Sequence, residues 1–313
     1  MQLPNHNKTP RIGKWLALVL LSAFMAGCGG GDPVLGFGGA GGATPGIVTP
    51  PPVIPVVPEI GGTLIVLGSA STFGTFGGSA GMTNDGTLTV INGDIGTTAV
   101  STAVTGFHSP GLGCTYTETN DNMGLVTGTI FTAPPAPTIQ CPTQGTATTF
   151  DAATNARADA LAAYNTLAGL PAGPDDGAGN LANLVLTPGV YTAAGGTFMI
   201  QGGDLTLDAQ GNANAVWVFQ MAQTLTVGGP GAAFPQSVVL VGGALAKNVF
   251  WQVGTAATIN AGGGGTMVGT IISNTGAAFS TTGNVTPVTL NGRVLSLDAS
   301  VTLVNTVINV PAP

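Results

Sequence analysis

Beyond residue 60 the chain alternates. Asp204-Leu205-Thr206-Leu207-Asp208, Gln223-Thr224-Leu225-Thr226-Val227, Ala257-Thr258-Ile259-Asn260 and Ser300-Val301-Thr302-Leu303 each put apolar residues on one face and mainly Thr, Ser or Asn on the other. That is the period of a half-buried strand. More apolar strands lie between them: Val216-Trp217-Val218-Phe219, Val249-Phe250-Trp251-Gln252-Val253, Gly269-Thr270-Ile271-Ile272 and Arg293-Val294-Leu295-Ser296. Trp251 and Ile271 are 20 residues apart, Ile271 and Leu295 are 24, and each interval holds one Thr-bearing strand. Short strands recurring at such an interval and broken by glycine predict stacked coils, a β-solenoid. A β-sandwich would alternate too, but its turns separate hairpins of matched length. One segment breaks the pattern. From Phe150 to Ala168 glycine disappears and Ala153, Ala156, Ala160, Tyr164 and Leu167 step by three or four, predicting a helix over 150–168. Thr149 or Asp151 can cap its start, and Gly169 with Pro171 stops it.

Composition narrows the function. Charged residues make up 6% of the 313 and mean hydropathy is +0.43. No stretch after residue 27 has the ~20 consecutive apolar residues of a spanning helix. After Cys28 only Arg157, Lys247 and Arg293 are basic, against 13 acids. Nucleic-acid binding needs a basic footprint, so no nucleic-acid partner is expected.

The N-terminus is an address. Lys8, Arg11 and Lys14 precede a short apolar run from Trp15 to Met25, the layout of an export signal over 1–27. Met25-Ala26-Gly27-Cys28 resembles the bacterial lipobox, in which the cysteine is lipidated and becomes N-terminal; plain secretion is the alternative. By resemblance to Gram-negative sorting rules, Gly29 after the cysteine favours the outer membrane and the cell surface. Half of residues 29–60 are Gly or Pro, so 28–60 reads as a tether and 61–313 as the folded domain.

Chemistry-bearing residues are scarce. Cys114 and Cys141, an even pair in an exported chain, are expected to form a disulfide. Two cysteines and His108 are too few for a closed zinc site, so neither metal nor cofactor is expected. His108 reads as a loop residue, since no base–nucleophile pair is visible. Asp94, Asp204, Asp208 and Asp298 sit beside turns, where Asp bonds local backbone and where a calcium ion is the minor alternative. Trp217 and Trp251 lie in apolar strands and read as core. No catalytic residue is assigned, so the chain is not read as an enzyme.

An ordered set of segments carries a resemblance: Leu67 to Phe73 (LGSASTF), Ile91 to Gly96 (INGDIG), Leu186 to Tyr191 (LTPGVY), Leu205 to Gly211 (LTLDAQG), Ala215 to Gln220 (AVWVFQ), Asn248 to Gly254 (NVFWQVG) and Asn291 to Leu295 (NGRVL). With the helix between them they resemble, over 67–308, the microbial ice-binding (antifreeze) protein family of bacteria, fungi and diatoms. Lys247 departs from the cysteine that often precedes NVFWQVG there. The resemblance implies a mostly β fold: a right-handed discontinuous β-helix of triangular section with one α-helix packed alongside. N-terminal strands would complete coils begun by the C-terminal half, and residues 108–147 would form a capping insertion. It further implies a monomer whose partner is an ice crystal surface, with the membrane reached through the lipid anchor only. A surface adhesin or carbohydrate-binding solenoid remains the alternative.

Alternation selects the residues that would meet ice. If Leu88 and Val90 point inward, Thr87 and Thr89 point outward. The same rule places Thr206, Thr224, Thr226, Thr258 and Thr302 on the outer surface, with Ser300 beside Thr302, and Ser280 and Thr282 on the coil between.

Overall fold

The computed structural model describes residues 57–228 and 235–312; the signal segment, Cys28 and the tether up to residue 56 lie outside the described residues. The expected domain start at residue 61 falls in the turn of a small hairpin, because Glu59–Ile60 pairs antiparallel with Thr63–Leu64.

The coils have three sides. One is a seven-stranded parallel sheet in the stacking order Phe198–Ile200, Leu225–Val227, Ala257–Ile259, Ala277–Phe279, Val301–Val304, Met82–Asp85 and Val104–Thr105. The second side carries Gly189–Thr192, Trp217–Met221, Val249–Val253, the ends of Thr266–Ser273 and Val288–Ser296, then Phe73–Gly77 and Asp94–Val100. The third holds Val185–Leu186, Leu205–Asp208 and Val238–Val241, and further along the stack the start of Val288–Ser296 with Thr306–Asn309 and Val90–Asn92. This is a β-helix with a break in chain order. Strands from the C-terminal end, Val301–Val304 and Thr306–Asn309, lie directly on N-terminal strands. Gly124–Val126 and Ile130–Ala133 of the insertion extend the N-terminal end of the stack, and Cys114 and Cys141 are disulfide-bonded there.

Inward residues stack in register. Tyr191, Phe219 and Trp251 pile up with ring centroids 5.5 and 4.0 Å apart. Ile271 stacks on Val294, one residue before the expected Leu295, which pairs with Ile272. Trp217 and Trp251 are wholly buried, and each indole Nε1–H donates to a backbone carbonyl, Leu186 at 3.2 Å and Val268 at 2.9 Å.

Helix α1, Ala147–Ala168, lies against the second side. It starts earlier than the expected Thr149 or Asp151 cap: Thr146 is the N-cap, and Thr149 closes a capping box with it. Its inward stripe is Ala153, Ala156, Ala160, Ala163 and Leu167, with Tyr164 only half-buried. Alanine lets the helix sit close on Val218, Phe250, Ile272, Leu295 and Phe76, a second apolar layer outside the coils. That side is therefore covered, and the seven-stranded sheet makes no such helix contact.

Candidate functional site

The uncovered seven-stranded sheet builds its surface from the register of its strands. Met199, Thr226, Thr258, Ala278, Thr302, Thr83 and Thr105 form one straight outward row, a residue from each coil. On each strand except that of Thr105, which Gly106 follows, this residue is flanked by two inward side chains, as in Leu225–Val227, Ala257–Ile259 and Ala277–Phe279, which all read buried–intermediate–buried. Two residues earlier runs a second outward row that includes Thr197, Thr224, Ala256 and Ser300. Coils lie about 4.8 Å apart and alternate outward residues on one strand about 6.7 Å apart, so the rows form a two-dimensional grid. None of these positions is charged. Neighbouring hydroxyls meet across coils: Thr105 Oγ1 donates to Thr83 Oγ1 at 3.3 Å, and Thr197 and Thr224 lie 3.4 Å apart. β-Branching stiffens each Thr χ1, which keeps the grid ordered.

Of the residues chosen from sequence, Thr224, Thr226, Thr258, Ser300 and Thr302 come together here. The others do not. Thr206 points outward on the third side, paired with Val185 and Val239, because Leu205–Asp208 belongs to a different sheet. Thr87 is exposed but lies at the corner between Met82–Asp85 and Val90–Asn92. Thr89 is buried, 1% exposed, and its Oγ1 accepts from the Thr306 N–H at 3.0 Å, while Leu88 is exposed at the corner and the half-buried Val90 begins the next strand. Ser280 is buried with φ 60°, a left-handed turn that carries the chain off the sheet, so Ala278 holds the outward place in that coil. Thr282 sits in the loop beyond and donates to Asp85 Oδ2 at 2.6 Å.

Sequence reasoning missed Thr83, Thr105 and Thr197. Thr83 is flanked inward by Met82 and by Asn84, a wholly buried amide that donates to the Gly86 and Gly106 carbonyls at 3.0 and 3.1 Å. A polar inward residue hides the alternation. The signal that could have found it is the match to Val301–Val304, the strand on which it stacks.

The turn aspartates are engaged by backbone or by a cation. Asp94 accepts from Thr129 N–H at 2.8 Å, Asp204 from Ser237 at 2.7 Å and Asp208 from Gln210 at 2.9 Å, while Asp298 pairs with Arg157 at 2.6 Å. Among the described residues no three His, Cys, Asp or Glu side chains gather. His108 sits in the insertion with Nδ1 2.5 Å from Glu118 Oε1. Burial raises the Tyr116 hydroxyl pKa beneath it, and Tyr116 donates to Gln144 at 2.7 Å; both belong to the cap.

Fold and site together define a β-solenoid with one side that carries uncharged, hydroxyl-bearing rows. The profile of the Ice-binding-like family matches residues 76–309, and the chain belongs to that family. An ice-binding protein of Nostoc sp. (strain HG1) is 34% identical over 241 residues, covering 77% of this chain and 72% of that protein. One from Leucosporidium sp. (strain AY30) is 34% identical over 255 residues, covering 80% and 85%. Among solved structures, the ice-binding protein of the Antarctic ascomycete Antarctomyces psychrotrophicus superposes with TM-score 0.58 at 31% identity, covering 80% of this chain and 99% of that one.

Proposed function

We propose that the chain adsorbs to ice through the seven-stranded Thr sheet and thereby restrains ice growth or recrystallisation. The observation that carries this reading is the outward row Thr226, Thr258, Ala278, Thr302, Thr83 and Thr105, itself uncharged, on a side that no helix covers among the described residues and whose carboxylate, Asp85, is bonded by Thr282. A Thr hydroxyl anchors a water while its methyl shapes the cage around it. Repeated on a rigid grid, such waters join a lattice. A charge would hold its own hydration shell and break the array. Adsorption of this kind requires neither cofactor nor a second copy, and the protein is read as a monomer. Thermal hysteresis and ice-affinity partitioning of the purified chain test the proposal; failure to enrich in a growing ice hemisphere would refute it.

We further infer an exported lipoprotein held by Cys28 at the outer membrane of a Gram-negative cell, with the Gly/Pro-rich tether joining the solenoid to its anchor. Display there suits freeze protection or attachment of the cell to ice. Cys28→Ala should move the protein from the membrane to the soluble fraction. An unchanged distribution would remove the anchor from the proposal.

A further inference from the structure

We propose that the groove at the corner between the helix-covered side and the third side docks on an anionic lipid surface, and that this docking turns the Thr sheet away from the membrane. The inference rests on the reading of an exported, anchored chain.

The groove encloses about 180 Å³ and is walled by Val57, Ile65, Leu67 and Phe250, with Lys247 and Arg293 among its lining residues. After Cys28 the chain has three cations. Arg157 is paired with Asp298 and bonded to the Leu297 carbonyl. The other two both line this one groove, and no acid does. Arg293 is 4% exposed and bonds only carbonyls, its Nε donating to Ser71 at 2.7 Å and its Nη2 to Pro311 at 3.1 Å. Among the described residues no carboxylate pairs with it. Burial lowers its pKa to about 10, which leaves it a cation at neutral pH. A buried charge without a counter-ion is costly, and an incoming anion relieves that cost. Lys247 is half-buried and makes no ion pair or hydrogen bond among the described residues. In a chain of net charge −7, a groove whose lining holds two cations and no acid, with Glu59 and the Ser69-bonded Asp159 beside that lining, is where an anionic surface meets the least repulsion.

The rim is apolar. Val57, Leu64 and Val66 of the hairpin segment are 40%, 52% and 54% exposed, and Leu245, two residues before Lys247, is 40% exposed. Aliphatic side chains around a cationic centre suit the boundary between headgroups and acyl chains. Val57, the first described residue and part of the expected tether, lines this groove. Covalent attachment to the membrane raises the effective concentration of the domain there, so modest affinity suffices.

Topology fixes the orientation. Lys247 lies between Val238–Val241 of the third side and Val249–Val253 of the second. Arg293 lies where Val288–Ser296 leaves its pairing with Thr306–Asn309 for that with Phe73–Gly77. Both mark the same corner. In a three-sided coil, that corner points away from the remaining side, which is the Thr sheet.

The test replaces the natural anchor, so it does not depend on lipidation of Cys28. The compact unit Val53–Pro313 contains both hydrophobic clusters. It is attached through an N-terminal hexahistidine to vesicles bearing a nickel-chelating lipid, in phosphatidylcholine with or without phosphatidylglycerol. An environment-sensitive fluorophore is placed by Leu64→Cys in one sample and Thr258→Cys in another. On phosphatidylglycerol vesicles the label at 64 should shift to the blue and lose most of its accessibility to an aqueous quencher, while the label at 258 keeps its full accessibility. Lys247→Glu should restore quenching at 64 without changing the melting temperature. Equal quenching at both positions, or protection that survives Lys247→Glu, overturns the proposal. A shift at 64 caused by inorganic phosphate without vesicles also overturns it, by showing an anion pocket and not a membrane contact. A soluble Cys28→Ala protein together with protection at 64 supports both readings; an unchanged Cys28→Ala distribution with protection at 64 removes the anchor alone.

Discussion

Thr258→Tyr puts the proposed face to its hardest test. Thr258 sits near the middle of the outward row, between Thr226 and Ala278, and its neighbours Ala257 and Ile259 point inward and are buried. A tyrosine ring there stands above the hydroxyl plane by roughly one coil spacing, about 4.8 Å. A planar crystal cannot then approach the adjoining coils, so the loss spreads beyond one residue. Folding should hardly notice. Exposed strand substitutions stay within about 0.5 kcal/mol, and Tyr is well tolerated in strands. For a domain of this size that corresponds to about 1–2 °C in melting temperature. Thermal hysteresis should fall by more than half while the calorimetric transition stays in place. The control is Thr206→Tyr, the same change on the third side, which should leave ice activity intact. Wild-type hysteresis in Thr258→Tyr, or a matching loss in Thr206→Tyr, would refute the choice of face.

Other substitutions separate scaffold from surface. Trp217→Ala removes a wholly buried indole and its bond to the Leu186 carbonyl, and should cost about 3–5 kcal/mol, read as a fall in melting temperature on the order of 10 °C. Thr89→Val leaves the Thr306 N–H without its acceptor and should cost about 1–3 kcal/mol in urea unfolding with no change in hysteresis of the folded protein; an ice defect at full stability would show that Thr89 does reach the surface. Ala278→Thr fills the one gap between Thr258 and Thr302 and should raise hysteresis with stability unchanged; a fall would mean that the gap itself is part of the match to ice.

Much of the fold was legible because stacked coils repeat one local rule. Val227, Ile259 and Leu303 are apolar where they must point inward, and Thr226, Thr258 and Thr302 are polar where they must not. The rule fails at corners. Leu88 looks like an inward strand residue, yet it is exposed because the chain is turning there, and the buried neighbour is Thr89, held by a backbone bond. Ser280 fails for the same reason in reverse, since its left-handed φ takes it off the sheet. Period two shows which residues share a side of one strand, but it does not show which of the three sides that strand belongs to. Thr206 does point outward, but from the third side.

The break in chain order explains the remaining misses and also the extent of the site. Thr83 and Thr105 are more than 90 residues before Thr197 in sequence, yet their strands extend the same sheet past Thr302. Two of the outward threonines in the main row therefore come from the N-terminal strands, docked under the C-terminal coils. The face exists only when both ends of the chain have met. Weakening that junction, where Val301–Val304 pairs with Met82–Asp85, should shorten the grid from one end as well as lower stability. Asn305 and Thr89 tie the junction, with Leu88 N–H donating to Asn305 Oδ1 and Thr306 N–H to Thr89 Oγ1, while the Asn84 amide bonds the Gly86 and Gly106 carbonyls, which also accept from the Met123 and Gly124 N–H groups. A polar side chain that spoiled the sequence pattern thus links the strand of Thr83 to Gly106, the residue after Thr105 on the next coil.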